Sequence, residues 1–161
     1  MKTDEFSAIS SGRDLPISDK HAREILNFIK GMDVDKAIKA LERVLIFKQA
    51  IPYKRRNDNV GHKPGMAAGR YPVKACSHII TVLKNAKNNA LNKGLQESKL
   101  FIKGATIGLG ISKSSRVRSR KGQYVHSLKS THVFITLGER EEDAKQKEKK
   151  VEKPKKEVVK K

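Results

Sequence analysis

The apolar positions of this chain change period along its length, and the changes divide it into helices, a stretch without pattern, and strands. Ala22, Ile25, Leu26 and Ile29 recur at helical spacing behind Ser18, and Gly31 follows Lys30. Cap residue, stripe, cationic last turn and glycine stop agree on a helix over residues 19–30. Asp33 can cap a second helix with Val34, Ala37, Ile38, Leu41 and Leu45 on one face, running until Pro52 forces the residue before it out of the helical region. Pro72 suits the first position of a third, where its missing amide donor costs nothing. Val73, Cys76, Ile80, Leu83, Lys87 and Ala90 carry the inner face of that helix to Lys93, and Gly94 ends it.

Between the second and third helices, residues 52–70 have no apolar period and read as a basic loop. Downstream the period drops to two. Residues 100–112 and 123–137 are rich in β-branched side chains, with Val133, Ile135 and Leu137 alternating with Phe134 and Thr136, so two long strands joined by a turn at 113–122 are expected. At about 3.3 Å per residue such a hairpin is on the order of 40 Å long, more than a three-helix core covers. Its outer half, Ser112 to Lys121, offers almost nothing to a core and reads as a projecting arm. An isolated two-stranded ribbon is marginal in water, so the arm needs an outside surface to hold it.

After Glu139 the chain becomes repetitive Lys, Glu and Asp, which cannot bury enough surface to offset its chain entropy; disorder or a fraying helix is expected there. The predicted architecture is α+β: three helices packed on a small antiparallel sheet, a long protruding β-hairpin, and a disordered charged C-terminal tail. The expected organisation is an N-terminal extension over 1–17, one domain over 18–138 that includes the hairpin 100–137, and the tail 139–161.

Charge changes the picture from a small fold to a fold that requires a partner. Lysine and arginine number 36 against 17 acidic residues, a formal net charge of +19, and self-repulsion on that scale asks for a polyanion. Nucleic acid and an anionic membrane surface both qualify, so the distribution matters. Between Arg43 and Gly138 there are 19 basic residues and two acidic ones, Asp58 and Glu97, so the excess belongs to the folded part. No stretch is apolar for the roughly 18 residues a membrane span needs, and the N-terminus lacks the basic-then-apolar order of a secretory signal, so a cytoplasmic protein is expected. Cys76 is the sole cysteine, which excludes an internal disulfide or a cysteine cluster for zinc or iron–sulfur.

The arm is the strongest candidate site. No acidic residue lies between Lys99 and Gly138, while Lys99, Lys103, Lys113, Arg116, Arg118, Arg120, Lys121 and Lys129 are all cationic. A solvated edge that discourages strand aggregation is the competing explanation, although such edges normally mix signs. Arg116, Arg118 and Arg120 sit two apart, so in an extended strand they face one way and can fork onto phosphates in a row; a turn beginning there would break the alignment. The loop is the second candidate. It combines Lys54, Arg55, Arg56, Lys63, Arg70 and Lys74 with Tyr53, Tyr71 and His62, whose rings can stack on unpaired bases, but aromatic rings beside proline also anchor helix ends.

Catalysis has little support. Gly108 to Lys113 has neither phosphate-loop spacing nor a following helix, and its glycines suit a bent strand better. The five histidines never occur at metal-ligand spacing, and carboxylates are nearly absent where histidines and serines are dense. Neither an enzyme nor a cofactor is expected.

Three stretches resemble the large-subunit ribosomal protein twenty-two family in its archaeal and eukaryotic form. The most specific is Pro52, Tyr53, Lys54, Arg55, Arg56, Asn57, Asp58, then Gly61, His62, Lys63, Pro64, Gly65, then Gly69, Arg70, Tyr71, Pro72, Val73, Lys74. Leu15, Pro16, Ile17, Ser18 with Lys20 and His21, then Lys30, Gly31 and Met32, form the second, and Asn85 to Ala90 with Lys93, Gly94 and Leu95 the third; Thr131 and His132 fit the returning strand. The resemblance covers roughly residues 12–139, with departures at Arg116 to Gln123 and in the short segment Met66, Ala67, Ala68 between Gly65 and Gly69. It implies a compact domain on the outer surface of the large subunit near the exit of the nascent-peptide tunnel, its hairpin reaching inward along the tunnel wall. The implied partners are large-subunit ribosomal RNA, neighbouring ribosomal proteins and the nascent polypeptide, with no membrane, DNA or cofactor. The RNA-binding set expected on this basis is Lys54, Arg55, Arg56, Asn57, His62, Lys63, Arg70, Tyr71, Lys74, Lys103, Lys113, Arg116, Arg118, Arg120, Lys121, Lys129 and His132. A free, non-specific RNA chaperone or nucleoid-type protein is the alternative, and comparable affinity for duplex DNA would mark it.

Overall fold

In a computed structural model, which describes residues 7–55, 57–120 and 122–140, the chain runs β1 (Ser7–Leu15), α1 (Asp19–Ile29), α2 (Val34–Leu45), β2 (Ile51–Pro52), β3 (Gly69–Arg70) and α3 (Val73–Asn92). A 3-10 turn (Glu97–Lys99) leads into β4 (Leu100–Leu109), β5 (Lys113–Ser119), β6 (Gly122–Leu128) and β7 (Thr131–Glu139). The α+β class expected from the sequence is the class observed.

The stripe of α1 is buried as its spacing requires, at Ala22, Ile25, Leu26 and Ile29. Helix α2 buries Val34, Ala37, Ala40, Leu41 and Val44, while Ile38 and Leu45 sit at the margin of that face. It stops at Leu45, earlier than Pro52 alone demands, because Phe47 turns the backbone into the left-handed region with φ of 59°. Residues 51–52 then form a short strand paired with Gly69–Arg70. Pro72 lies one residue ahead of α3, as its N-cap. This helix buries a wide face, Ala75, Cys76, Ile79, Ile80, Val82, Leu83, Ala86 and Ala90, because it packs against α2 and also against the sheet. Val73, expected on the inner face, lies exposed at its start, and Lys87 lies at the rim, where it bridges Asp35 of α2 at 2.7 Å and Glu97 at 2.5 Å.

The sheet is antiparallel in the order β1-β7-β4, with β7 in the middle. Thr131, Val133, Ile135 and Leu137 point into the core, as the alternation predicts. Turn residues between α1 and α2 dock on the sheet edge, since Gly31 N–H donates to Ile102 O and Ile102 N–H to Met32 O, both at 3.0 Å.

Two features differ from expectation. Residues 7–15, placed in an N-terminal extension by the sequence, form β1, a strand of the sheet that pairs with β7 along its length. Its signal is weak because the inward positions are small. Ala8 and Ser10 are buried, Ile9 is 58% exposed, and a Cβ on Gly12 would lie 2.7 Å from Val82 Cγ2 of α3. Small side chains here let the helix approach the strand.

The hairpin, expected as two continuous strands, is two ladders in series. The first pairs β4 with β7, and the second pairs β5 with β6. They are separated where Gly110 N–H donates to Ser130 O and the Ser130 hydroxyl donates to Ile111 O at 2.9 Å. Gly110 is needed at this crossing, because any Cβ there would fall 3.0 Å from the Ser130 carbonyl carbon. Residues 113–119, expected in the turn, are strand, and Arg120 beyond them is in a turn. The tail from residue 141 onward lies outside the described residues.

The strand role of residues 7–15 is testable by truncation. A chain beginning at Pro16 would leave β7 unpaired on one side and uncover α3, so its cooperative thermal transition, followed by circular dichroism, is expected to be lost. An unaltered melt would show that β1 contributes nothing to the body.

Candidate nucleic-acid interface

The outer ladder carries the arm cations on both faces of a ribbon that has no core. Every described residue of β5 and β6 is exposed except Val117, which is half-buried. Residues opposite one another share a face, and the register pairs Arg116 with Val125 and Arg118 with Gln123. These two arginines therefore point to one side, as the two-residue spacing predicts. Lys113, Val117 and their partners Leu128 and Tyr124 occupy the other side with His126. Arg120 lies beyond the strand, outside that alignment, and Lys121 falls outside the described residues.

At the root of the arm a cleft of about 680 Å³ opens between the ladder and the body. Pro16, Ile17 and Lys74 line it from the body, and Ile111, Lys113, His126 and Lys129 from the arm. Three of the predicted cations, Lys74 from the first turn of α3 and Lys113 and Lys129 from the arm, thus converge on one opening. Lys103 is exposed farther back, at the register shift between Ile102 and Gly104 of β4. His132 does not join the arm. Its Nδ1 accepts the backbone N–H of Asp14 at 3.0 Å, which props the irregular end of β1 where Asp14 has φ of 51°.

The basic loop is held by a residue that the sequence did not single out. Glu24 of α1 is 3% exposed, and its carboxylate accepts the backbone N–H of Lys54 on Oε2 and of Arg55 on Oε1, both at 3.2 Å. Charge-assisted bonds of this kind are stronger than neutral ones, and they fix the direction in which the loop leaves Tyr53. The one available signal was phase, since His21 and Glu24 lie three apart beside the buried stripe of α1.

Tyr53, expected as a ring for base stacking, is instead part of the core. It is 6% exposed, its hydroxyl pairs with His21 Nδ1 at 2.6 Å, and the Arg70 guanidinium lies 5.8 Å from its ring centre. Burial pushes its phenol up to about 12. The same burial, with Arg70 next in importance, lowers the His21 imidazole below its ordinary value. Tyr71 is half-buried edge-on against Phe47, at 5.4 Å and 65°, with the Lys63 ammonium 5.4 Å from its ring centre. Lys54, Arg55, Asn57, His62, Arg70 and Lys74 are all exposed; Arg56 falls outside the described residues. Among the described residues no group of histidine, cysteine and carboxylate side chains is placed to hold a metal, and no helix is long and apolar enough to cross a membrane.

A body that carries a coreless cationic ribbon and a pinned cationic loop defines a scaffold protein built for an anionic partner. Residues 10–138 match the family described as ribosomal protein L22p/L17e. The chain belongs to that family, and is a structural, non-enzymatic component of the cytoplasmic ribosome. The large ribosomal subunit protein uL22 of Methanococcoides burtonii is 46% identical over 137 residues, covering 84% of this chain and 91% of that protein. Its counterpart in Methanocaldococcus jannaschii is 41% identical over 139 residues (84% and 89%). The one in Thermoplasma volcanium is 39% identical over 142 residues (86% and 96%).

Glu24→Gln replaces one acceptor oxygen by an amide donor facing a backbone N–H, and is expected to cost about 1–3 kcal/mol. Hydrogen exchange at the Lys54 and Arg55 amides should quicken along with the lower melting point; protection equal to the parent would remove Glu24 as the loop's anchor.

Because the fold disfavours the charged His21 ring, the unfolded chain binds the proton more readily. Stability is therefore lost as pH falls through the ordinary imidazole value of 6.5, and levels off below the depressed folded value. The drop in melting temperature between about pH 7.5 and 5.5 should be larger in the parent than in His21→Gln. Equal drops would place the titration elsewhere.

Proposed function

We propose that the chain binds large-subunit ribosomal RNA through its arm and its 53–74 loop, supports assembly of that RNA, and lines the nascent-polypeptide exit tunnel with the arm's tip. The observation that carries this is the outer ladder: an exposed ribbon with no buried side chain to hold it and no acidic residue on it. Two-stranded ribbons of this kind are marginal alone, so a surrounding anionic surface supplies what the body cannot. Phosphates match the fork of Arg116 and Arg118, and the narrow profile of the ribbon lets it enter a folded RNA where a globular domain would not fit. Lys74, Lys113 and Lys129 at the root, with Lys54, Arg55 and Lys63 on the loop, extend the contact onto the body. Neighbouring ribosomal proteins and the nascent chain complete the set of partners, and neither DNA nor a membrane belongs to it.

Replacing Arg116, Arg118, Arg120 and Lys121 by serine tests the arm. The body should melt as before, while retention on large subunits through a high-salt wash falls; each lost phosphate contact should flatten the salt dependence of RNA binding by about 0.7 to 0.9. A photo-crosslinker at Arg120 should capture a stalled nascent chain. Parental retention, or equal affinity for duplex DNA and ribosomal RNA, would overturn the proposal.

A further inference from the structure

The end of α2 is built for a glycine and holds a phenylalanine. Lys48 N–H donates to Arg43 O at 2.9 Å, and Phe47 N–H to Val44 O at 3.1 Å. These are the two bonds of a Schellman closure, which requires a left-handed residue at the position Phe47 occupies, and glycine usually takes that place. Phe47 adopts it at φ of 59°. A bulky side chain in this region is a conformational outlier that persists only when something else favours it.

Burial is not that compensation. Phe47 is 63% exposed, more than its neighbour Ile46 at 58%, and its ring meets Tyr71 in a T-shaped pair. The ring therefore stands in solvent on a tight closure, braced from one side. Two lysines are close at hand: Lys48 follows it directly and is exposed, and Lys63 sits over the Tyr71 ring that braces it. Glu42 is the nearest carboxylate in sequence. An exposed aromatic ring with lysines near it suits a nucleobase, whose π-face stacks while its flanking phosphates meet the cations. An apolar protein surface would have no use for those charges.

We propose that Phe47, braced by Tyr71, is a stacking platform for one unpaired base of the bound RNA, with Lys48 and Lys63 on the adjoining phosphates. This rests on the RNA-binding role set out above and adds to it a contact at Phe47 and Lys48, which lie outside the arm and the 53–74 loop. The site recognises an unstacked nucleotide in a loop or bulge, because a base inside a duplex presents no free face.

The test uses the full chain and a single-stranded oligoribonucleotide carrying one 2-aminopurine, titrated at several salt concentrations. Phe47→Gly removes the ring and relieves the left-handed backbone, so it should melt no lower than the parent. It should bind about tenfold or more weakly, and lose the quenching of 2-aminopurine that stacking produces. Its salt slope should equal the parental one, since no phosphate contact is removed, whereas Lys48→Ser should flatten the slope by about 0.7. Phe47→Leu keeps an apolar side chain without a π-face and should be weakened like the glycine variant. It also serves as the readout if the glycine variant loses its fold. Parental affinity and quenching in Phe47→Gly and Phe47→Leu would overturn the platform and leave Phe47 to a protein neighbour. No RNA binding by the parent chain would instead overturn the RNA-binding role itself.

Discussion

The central place of β7 is the constraint from which the rest of the molecule follows. Both its edges are hydrogen-bonded, to β1 and to β4, and Val133, Ile135 and Leu137 have no access to solvent. A slip of one residue would turn this set outward and expose His132, Phe134 and Thr136 to the core, so the register is fixed by burial on one face. Because β4 and β7 run on into β5 and β6 with only a short break, the fixed register also sets where the arm leaves the body. The crossing at Gly110 and Ser130 is the joint between a ladder held by a core and a ladder that has none.

Carboxylates are distributed in keeping with that division. Four in the body are engaged locally: Glu24 with the loop backbone, Asp35 and Glu97 with Lys87, Asp33 with Lys36 at 2.6 Å and with Arg140 at 3.5 Å. The exposed pairs add little stability individually, but they neutralise cations where helices meet. From Lys99 to Gly138 the chain has no acidic residue, so the arm carries no carboxylate of its own to offset its cations. The loop is a mixed case. A buried carboxylate directs its backbone, while its own cations face outward around Arg55 and Arg70.

Much of this was legible along the chain. The stripes of α1 and α2, the alternation of β7, the missing core of the outer hairpin and the patternless basic loop are statements about residues a few positions apart, and side-chain period reports them directly. β1 was not legible, because Ala8, Ser10 and Gly12 on its inward side are small and Ile9 faces outward. Tyr53 was read as a ring for bases because its neighbours are basic; its fate depends on His21, which lies 32 positions away. Glu24 looked like any charged residue of an amphipathic helix until the loop folded over it.

By itself the sequence determined the kind of protein: a small α+β body, an arm too cationic and too thin to support itself, and an excess of positive charge that belongs to the fold. Periodicity and side-chain type settle those points, and both are local. Only the tertiary structure decided which residues meet: β1 on β7, Glu24 under the loop, Lys74 with Lys113 and Lys129 around one cleft, and Phe47 held out in solvent against Tyr71. Such meetings depend on packing between segments distant along the chain, and a pattern of neighbouring residues carries no record of which distant surface will cover it.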